Sequence, residues 1–105
     1  MSAANKLEGP RLSLERVAIE LVANKSSKPF RGQKGETYEA RIWRLATPEQ
    51  AVVWAVAGNP GDTAASAIRN GVPFTMAAPL VFVADDEEVT FWSDNAAFVY
   101  VRKYV

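Results

Sequence analysis

The sequence of 105 residues contains neither cysteine nor histidine. Without cysteine no disulfide or thiolate metal site can form, which fits a reducing compartment or a particle assembled inside a cell. Without histidine the commonest general base and the commonest metal ligand are missing. We therefore expect no enzymatic activity, no cofactor and no metal, with a nucleophile served by lysine or a carboxylate as the remaining alternative.

Motifs for nucleotides and membranes are missing as well. The chain has no G-x-x-x-x-G-K-[ST] and no G-x-G-x-x-G, the glycine-rich loops that hold phosphates. No apolar run approaches the roughly 20 residues of a membrane span, and the opening MSAANKLEGP has no apolar core typical of a signal peptide. The carboxylates of 85–88 lack the glycine and alternate spacing of a calcium loop, which favours a solvated turn.

Strand-forming residues are what the sequence has in abundance. Three apolar runs rich in Val, Phe, Tyr and Trp follow one another near the C-terminus, separated by two short acidic turns. They are Leu80–Ala84, Val89–Trp92 and Ala97–Val105. We predict a three-stranded antiparallel meander here, against which the earlier chain packs.

Earlier segments extend this pattern. Glu36–Leu45 alternates, with Tyr38, Ala40 and Ile42 on the inward face, and Ala51–Ala57 is a continuous apolar run typical of a strand buried on both sides. Thr63–Asn70 fits one or two helical turns ended by Gly71 as a left-handed cap, or a loop crossing between sheets. Val72–Met76 starts another strand, and Pro73 indicates an edge position or a strand start.

The N-terminal region is harder to assign. Residues 1–11 are small and polar and predict a flexible arm. Leu12–Asn24 fits either a helix or a strand, and we prefer a strand because Ile19 then joins Val17 and Leu21 on one face. The fold class is therefore all-β: one small antiparallel β-sandwich over 12–105, with about seven strands and at most one short helix near 63–70.

Charge is unevenly distributed although its sum is zero. Residues 1–44 carry nine Lys/Arg and five Asp/Glu, whereas 45–101 carry one Arg and seven Asp/Glu. Such a split can orient a subunit against its neighbours, or it can reflect chance clustering of surface charges. The basic loop over 24–35 contains Phe30 and could track a phosphate backbone, but one aromatic without a stacking series favours a solvated loop with Phe30 on the core.

Aromatic residues provide the interface candidates. Three Trp, five Phe and three Tyr exceed what one small sandwich easily hides. Trp43 and Arg41 share the outer face of a predicted strand, and both residue types are enriched at binding hot spots. Tyr104 ends the last strand without a polar tail. We predict Phe30, Arg41, Trp43 and Tyr104 as protein-contact residues.

The later half of the chain resembles small structural proteins of tailed bacteriophage virions. The resemblance is carried by the segments IRNGVPFTM (68–76), VTFWS (89–93) and AFVYV (97–101). Capsid decoration and head-associated proteins share this scheme of a "G-x-P-x-x-[LM]" strand, a hairpin with an aromatic in its second strand, and a valine-rich last strand. The resemblance covers 68–105, implies a non-enzymatic, oligomeric β-sandwich bound to the capsid shell, and transfers no site residues.

We therefore expect a capsid decoration (cement) or minor head protein. It would bind capsid or other virion proteins, form a homo-oligomer, and be located in the virion after assembly in the host cytoplasm. No membrane partner is expected, and nucleic acid is disfavoured as a partner. The alternative is a small β-sandwich that binds carbohydrate or single-stranded nucleic acid through Trp43, Phe30 and the basic loop.

Overall fold

The structure, a computed structural model, describes residues 11–45, 52–58 and 63–105. The predicted N-terminal arm, apart from Arg11, lies outside these residues. The described part of the chain has eight strands and one helix. They are β1 (Val17–Leu21), β2 (Lys25–Ser26), β3 (Thr37–Leu45), β4 (Val53–Ala57), α1 (Ala64–Asn70), β5 (Gly71–Phe74), β6 (Leu80–Val83), β7 (Val89–Ser93) and β8 (Ala97–Lys103).

The strands form two antiparallel sheets that pack face to face. Sheet 1 has the order β1-β8-β3-β6, and sheet 2 has the order β2-β7-β4-β5. Side chains from the facing sides of both sheets form one buried cluster, to which β3 contributes the predicted Tyr38, Ala40 and Ile42. The fold is the predicted small all-β sandwich with one short helix, and the two-residue β2 accounts for the additional strand.

The predicted C-terminal meander is wrong, because the last three strands alternate between the two sheets. β6 pairs with β3 and β8 lies between β1 and β3, whereas β7 lies in the other sheet between β2 and β4. The physical reason is the burial of β7, in which Thr90, Phe91, Trp92 and Ser93 are all buried. Both sides of β7 must be buried. In sheet 2, one side faces the core between the sheets and the other lies under α1, so the chain crosses between sheets at each acidic turn.

The helix begins at a capped end and stops at a glycine. The Thr63 hydroxyl accepts a hydrogen bond from the Ser66 N–H at 3.3 Å, which satisfies one free donor of the first turn. The prediction of a left-handed cap at Gly71 is wrong, since its φ is −98° and it begins β5. A Cβ at Gly71 would lie 2.5 Å from the Ala67 carbonyl oxygen, so this glycine permits close approach of the strand to the helix.

The strand interpretation of the ambiguous segment is confirmed for Val17–Leu21. Ile19 and Leu21 are buried in the core, while Val17 at the start of the strand is half exposed. β1 and β6 are the two edges of sheet 1, and β2 and β5 are the edges of sheet 2. Pro73 lies on β5, which confirms its predicted edge position.

Candidate protein-interaction face

The two outer faces of the sandwich differ in their cover. The outer side of sheet 2 carries Val56 and Trp92, which are buried together with Ala67 of α1. The outer side of sheet 1 carries three rings that no other described element covers. The candidate site is therefore on sheet 1.

The rings of this outer side belong to the neighbouring strands β3 and β8. Along β8, Phe98 and Tyr100 alternate with the buried Val99 and Val101, so they point away from the core. On β3, the register with β8 shifts between Ile42 and Arg44, which makes Trp43 the extra residue of a bulge. Bulges re-aim side chains, and this one sets the Trp43 ring against the two rings of β8.

The three rings contact one another. Trp43 stacks on Tyr100 with centroids 5.1 Å apart and an interplanar angle of 26°, and it meets Phe98 nearly edge-on at 6.2 Å. The Arg16 guanidinium carbon lies 4.3 Å from the Tyr100 ring centroid, a cation–π contact. Trp43 nevertheless keeps 52% of its surface exposed.

A buried carboxylate positions a second arginine beside these rings. Glu39 lies on the outer side of β3, but only 8% of its side chain is exposed, since its register neighbours are Val81 of β6 and Arg102 of β8. The Arg41 Nε donates a hydrogen bond to Glu39 Oε1 at 3.0 Å. Arg41 is opposite Tyr100 in the register and is about half exposed. We call Arg16, Arg41, Trp43, Phe98 and Tyr100 the aromatic face.

The structure brings together two of the four predicted contact residues, Arg41 and Trp43. Phe30 is not on the surface: it is 8% exposed and packs edge-on against Tyr38 and Phe82, with centroids 5.1 and 6.1 Å away. Its backbone also bridges to Val89, which holds the ring in the core. Tyr104 is half-buried beyond the end of β8, where its backbone bridges to Leu12.

Sequence reasoning missed Arg16, Phe98 and Tyr100. The alternation of β8 could have shown that Phe98 and Tyr100 share one side of a strand. The sequence does not reveal that β8 lies next to β3, and that pairing is what places Tyr100 beside Trp43.

The basic loop uses part of its charge within the fold. Arg31 Nη2 lies 3.3 Å from Glu88 Oε1, and Lys34 Nζ lies 3.2 Å from Asp86 Oδ2. These pairs are exposed and contribute little to stability. They do join the basic loop to the acidic turn. Part of the uneven charge along the chain is therefore paired within the fold and does not require a binding partner.

Other kinds of site find less support. Among the described residues no cluster of three or more acidic or other metal-ligating side chains is arranged to hold a metal ion. No helix in the described ranges is long and apolar enough to cross a membrane.

No protein-family model, curated protein or solved structure matches the chain.

Proposed function

We propose that this chain is a non-enzymatic structural protein that docks onto another protein through the aromatic face. The observation that carries the proposal is the half-exposed Trp43, which lies on a bulge and contacts the rings of Tyr100 and Phe98. Trp, Tyr and Arg dominate the binding energy of protein interfaces. A surface that gathers these residue types, and that no other described element covers, is suited to a protein partner.

The aromatic face is organised before a partner arrives. Trp43 is held by two ring contacts, and Arg41 is held by the buried Glu39. Ordering side chains on binding opposes association by roughly 0.5–1.5 kcal/mol for each rotamer-rich side chain. Because these side chains are already ordered, most of that cost is avoided on docking.

The partner that we favour is the capsid shell of a tailed bacteriophage, with this chain as a decoration (cement) or minor head protein of the virion. The resemblance of residues 68–105 supports this choice, and the β-sandwich fold is compatible with it. The proposed mechanism is that apolar burial at the aromatic face fastens the subunit to capsomers and stabilises the shell.

Cosedimentation tests the docking. The purified chain is mixed with shells assembled from the major capsid protein encoded alongside it, and bound protein is measured after centrifugation. We expect saturable binding that Trp43→Ala weakens about 30-fold or more, as expected for a hot-spot residue. Ile68→Ala is the matched control, because Ile68 is an equally exposed apolar residue on α1, the other side of the sandwich.

Two results would contradict the proposal. If the wild-type protein stays in the supernatant at every concentration, the shell is not its partner. If Trp43→Ala and Ile68→Ala lose shell binding equally, the aromatic face is not the contact surface.

Carbohydrate or single-stranded nucleic acid is the second candidate ligand. The stacked Trp43 and Tyr100, flanked by Arg16 and Arg41, favour it, since sugar rings and bases stack on such rings. Titration with a thymidine oligonucleotide and with a mixed oligosaccharide panel at low salt, measured by isothermal titration calorimetry, tests it. Saturable binding that is lost in Trp43→Ala would identify that ligand in place of a protein partner, and no binding by the wild-type chain would exclude this candidate.

A further inference from the structure

The four edge strands of the sandwich are protected unequally. An exposed edge offers free N–H and C=O groups to another strand, and proteins block it with charge, proline or shortness. β1 carries Glu20, β2 is two residues long with Lys25, and β5 carries Pro73. β6 reads Leu80-Val81-Phe82-Val83 and has none of these features.

The free backbone groups of β6 belong to Val81 and Val83. The Ala84 N–H donates to the Glu36 carbonyl at 2.9 Å, which directs the backbone groups of Ala84 towards β3. Hydrogen bonding alternates along an antiparallel pair, so Phe82 and Leu80 also bond to β3. Val81 and Val83 therefore direct their N–H and C=O groups away from the sandwich, where sheet 1 has no further described strand.

The same two valines carry exposed side chains. Val81 is 53% and Val83 61% exposed, although each could be buried by a strand alongside. A groove of about 400 Å³ runs next to them, between β6 and the edge of sheet 2, and its walls include Ala55, Val72 and Phe82. The edge is thus apolar in its side chains, and its outward backbone groups have no hydrogen-bond partner among the described residues.

We propose that β6 pairs antiparallel with β6 of a second copy of this chain, about a two-fold axis at Phe82. Val81 then lies opposite Val83 of the second copy, and each of the two equivalent pairs exchanges two backbone hydrogen bonds. The two Phe82 side chains meet at the centre, next to the mouth of each groove. This proposal rests on β6 alone and is independent of what binds the aromatic face.

Charge favours a second copy in this orientation. The acidic turn over 85–88 directly follows β6, so parallel pairing would bring two such turns together. In the antiparallel pair each turn instead lies beside the Pro79 end of the other copy, where the adjoining Ala77 and Ala78 are uncharged. Because each β6 edge is used once, the pair closes as a dimer and does not extend into a fibre.

Dimerisation through β6 would join two copies of sheet 1 into one eight-stranded sheet. Both aromatic faces would then lie on the same side of it, since the outer side of the sheet continues across the axis. Two linked contact surfaces bind an arrayed partner more tightly than one. A closed dimer would therefore suit a repetitive surface.

Disulfide trapping tests the pairing and its register, because the chain has no cysteine of its own. Val81→Cys and Val83→Cys are purified separately, mixed at equal concentration, and oxidised. The proposed register sets residue 81 directly opposite residue 83 of the other copy, within disulfide distance. We expect crosslinked dimers in the mixture and not in either variant alone, where the cysteines are two residues out of register.

A mixture that stays uncrosslinked, with wild-type protein monomeric by light scattering up to millimolar concentration, would overturn the proposal. Crosslinking of either single variant alone would overturn the register. A charge substitution provides an independent readout: Val83→Lys should weaken self-association about tenfold, since two Val–Val pairs are lost by symmetry. Val22→Lys is the matched control, because Val22 is also an exposed valine of similar accessibility but lies just beyond β1. If Val83→Lys and Val22→Lys weaken self-association equally, the chain associates through a surface other than β6.

Discussion

The two outer faces of this sandwich are built from the same kinds of residue and differ in what covers them. On sheet 2, Trp54 and Trp92 lie opposite one another with centroids 5.8 Å apart, and α1 packs over Trp92. On sheet 1, the ring centroids of Trp43 and Tyr100 are 5.1 Å apart, Trp43 is 52% exposed and Tyr100 is only partly buried. One aromatic cluster is therefore core, and the other is surface.

The difference follows from chain connectivity. α1 joins β4 to β5, which are neighbours in sheet 2, so the helix has no reason to leave that sheet. Along the described chain, no helix connects strands of sheet 1. The aromatic face is exposed because the helical connection packs on sheet 2 and not on sheet 1. Its residues are as suitable for burial as those of sheet 2.

The largest expected effect is on the covered face. Trp92→Ala should lower the free energy of unfolding by about 3–5 kcal/mol, because a fully buried ring leaves a cavity under α1. Denaturant titration followed by circular dichroism measures it. Trp92→Phe keeps a ring and removes the indole N–H, which has no hydrogen-bond partner within the described chain, so its loss should be much smaller. A loss below about 1 kcal/mol for Trp92→Ala would mean that the covered cluster is not core.

An intermediate effect is expected from the charge on the open face. Arg41→Ala removes the partner of the buried Glu39 carboxylate and should lower the free energy of unfolding by about 1–3 kcal/mol. Adding Glu39→Gln should recover part of the loss, because a neutral amide is less costly to bury than a carboxylate. Arg69→Ala, at an exposed arginine of α1, is the control and should change stability by less than about 0.5 kcal/mol. Equal losses at Arg41 and Arg69, without recovery in the double variant, would contradict the assigned role of Glu39.

The smallest effect on stability is expected at Trp43, the residue proposed to contribute most to docking. Trp43→Ala should lower the free energy of unfolding by only about 1 kcal/mol, the size of its lost ring contacts. The same denaturant titration measures it, and comparison with Trp92→Ala tests the contrast between the faces directly. Losses of similar size for the two tryptophans would show that Trp43 is a structural residue.

Prediction from the sequence succeeded where local pattern is sufficient. The alternation of 36–45 identified Tyr38, Ala40 and Ile42 as inward residues, and Pro73 indicated an edge strand. It failed for the C-terminal meander, because an acidic turn of a few residues can reverse a strand within a sheet or carry it to the other sheet. The choice depends on burial of β7 from both sides, which is a property of the assembled sandwich.

The candidate site shows the same division. Trp43 and Arg41 were predicted because they are neighbours on one strand, while Arg16 and Tyr100 were missed because they come from elsewhere in the chain. The loop pattern favoured packing of Phe30 on the core, while its aromatic ring also made it a predicted contact residue; the structure buries it against Tyr38 and Phe82. A loop residue's exposure depends on what the loop packs against.

The sequence by itself determined the all-β class, the strands with clear alternation, and the lack of cysteine and histidine chemistry. These properties follow from residue types and from a side-chain period of two, both of which are local. Tertiary structure decided which strands are neighbours, which Trp cluster α1 covers, and which strands lie at the edges of the two sheets. Those outcomes depend on long-range pairing, since the same alternating strand can be placed in either sheet and beside several partners.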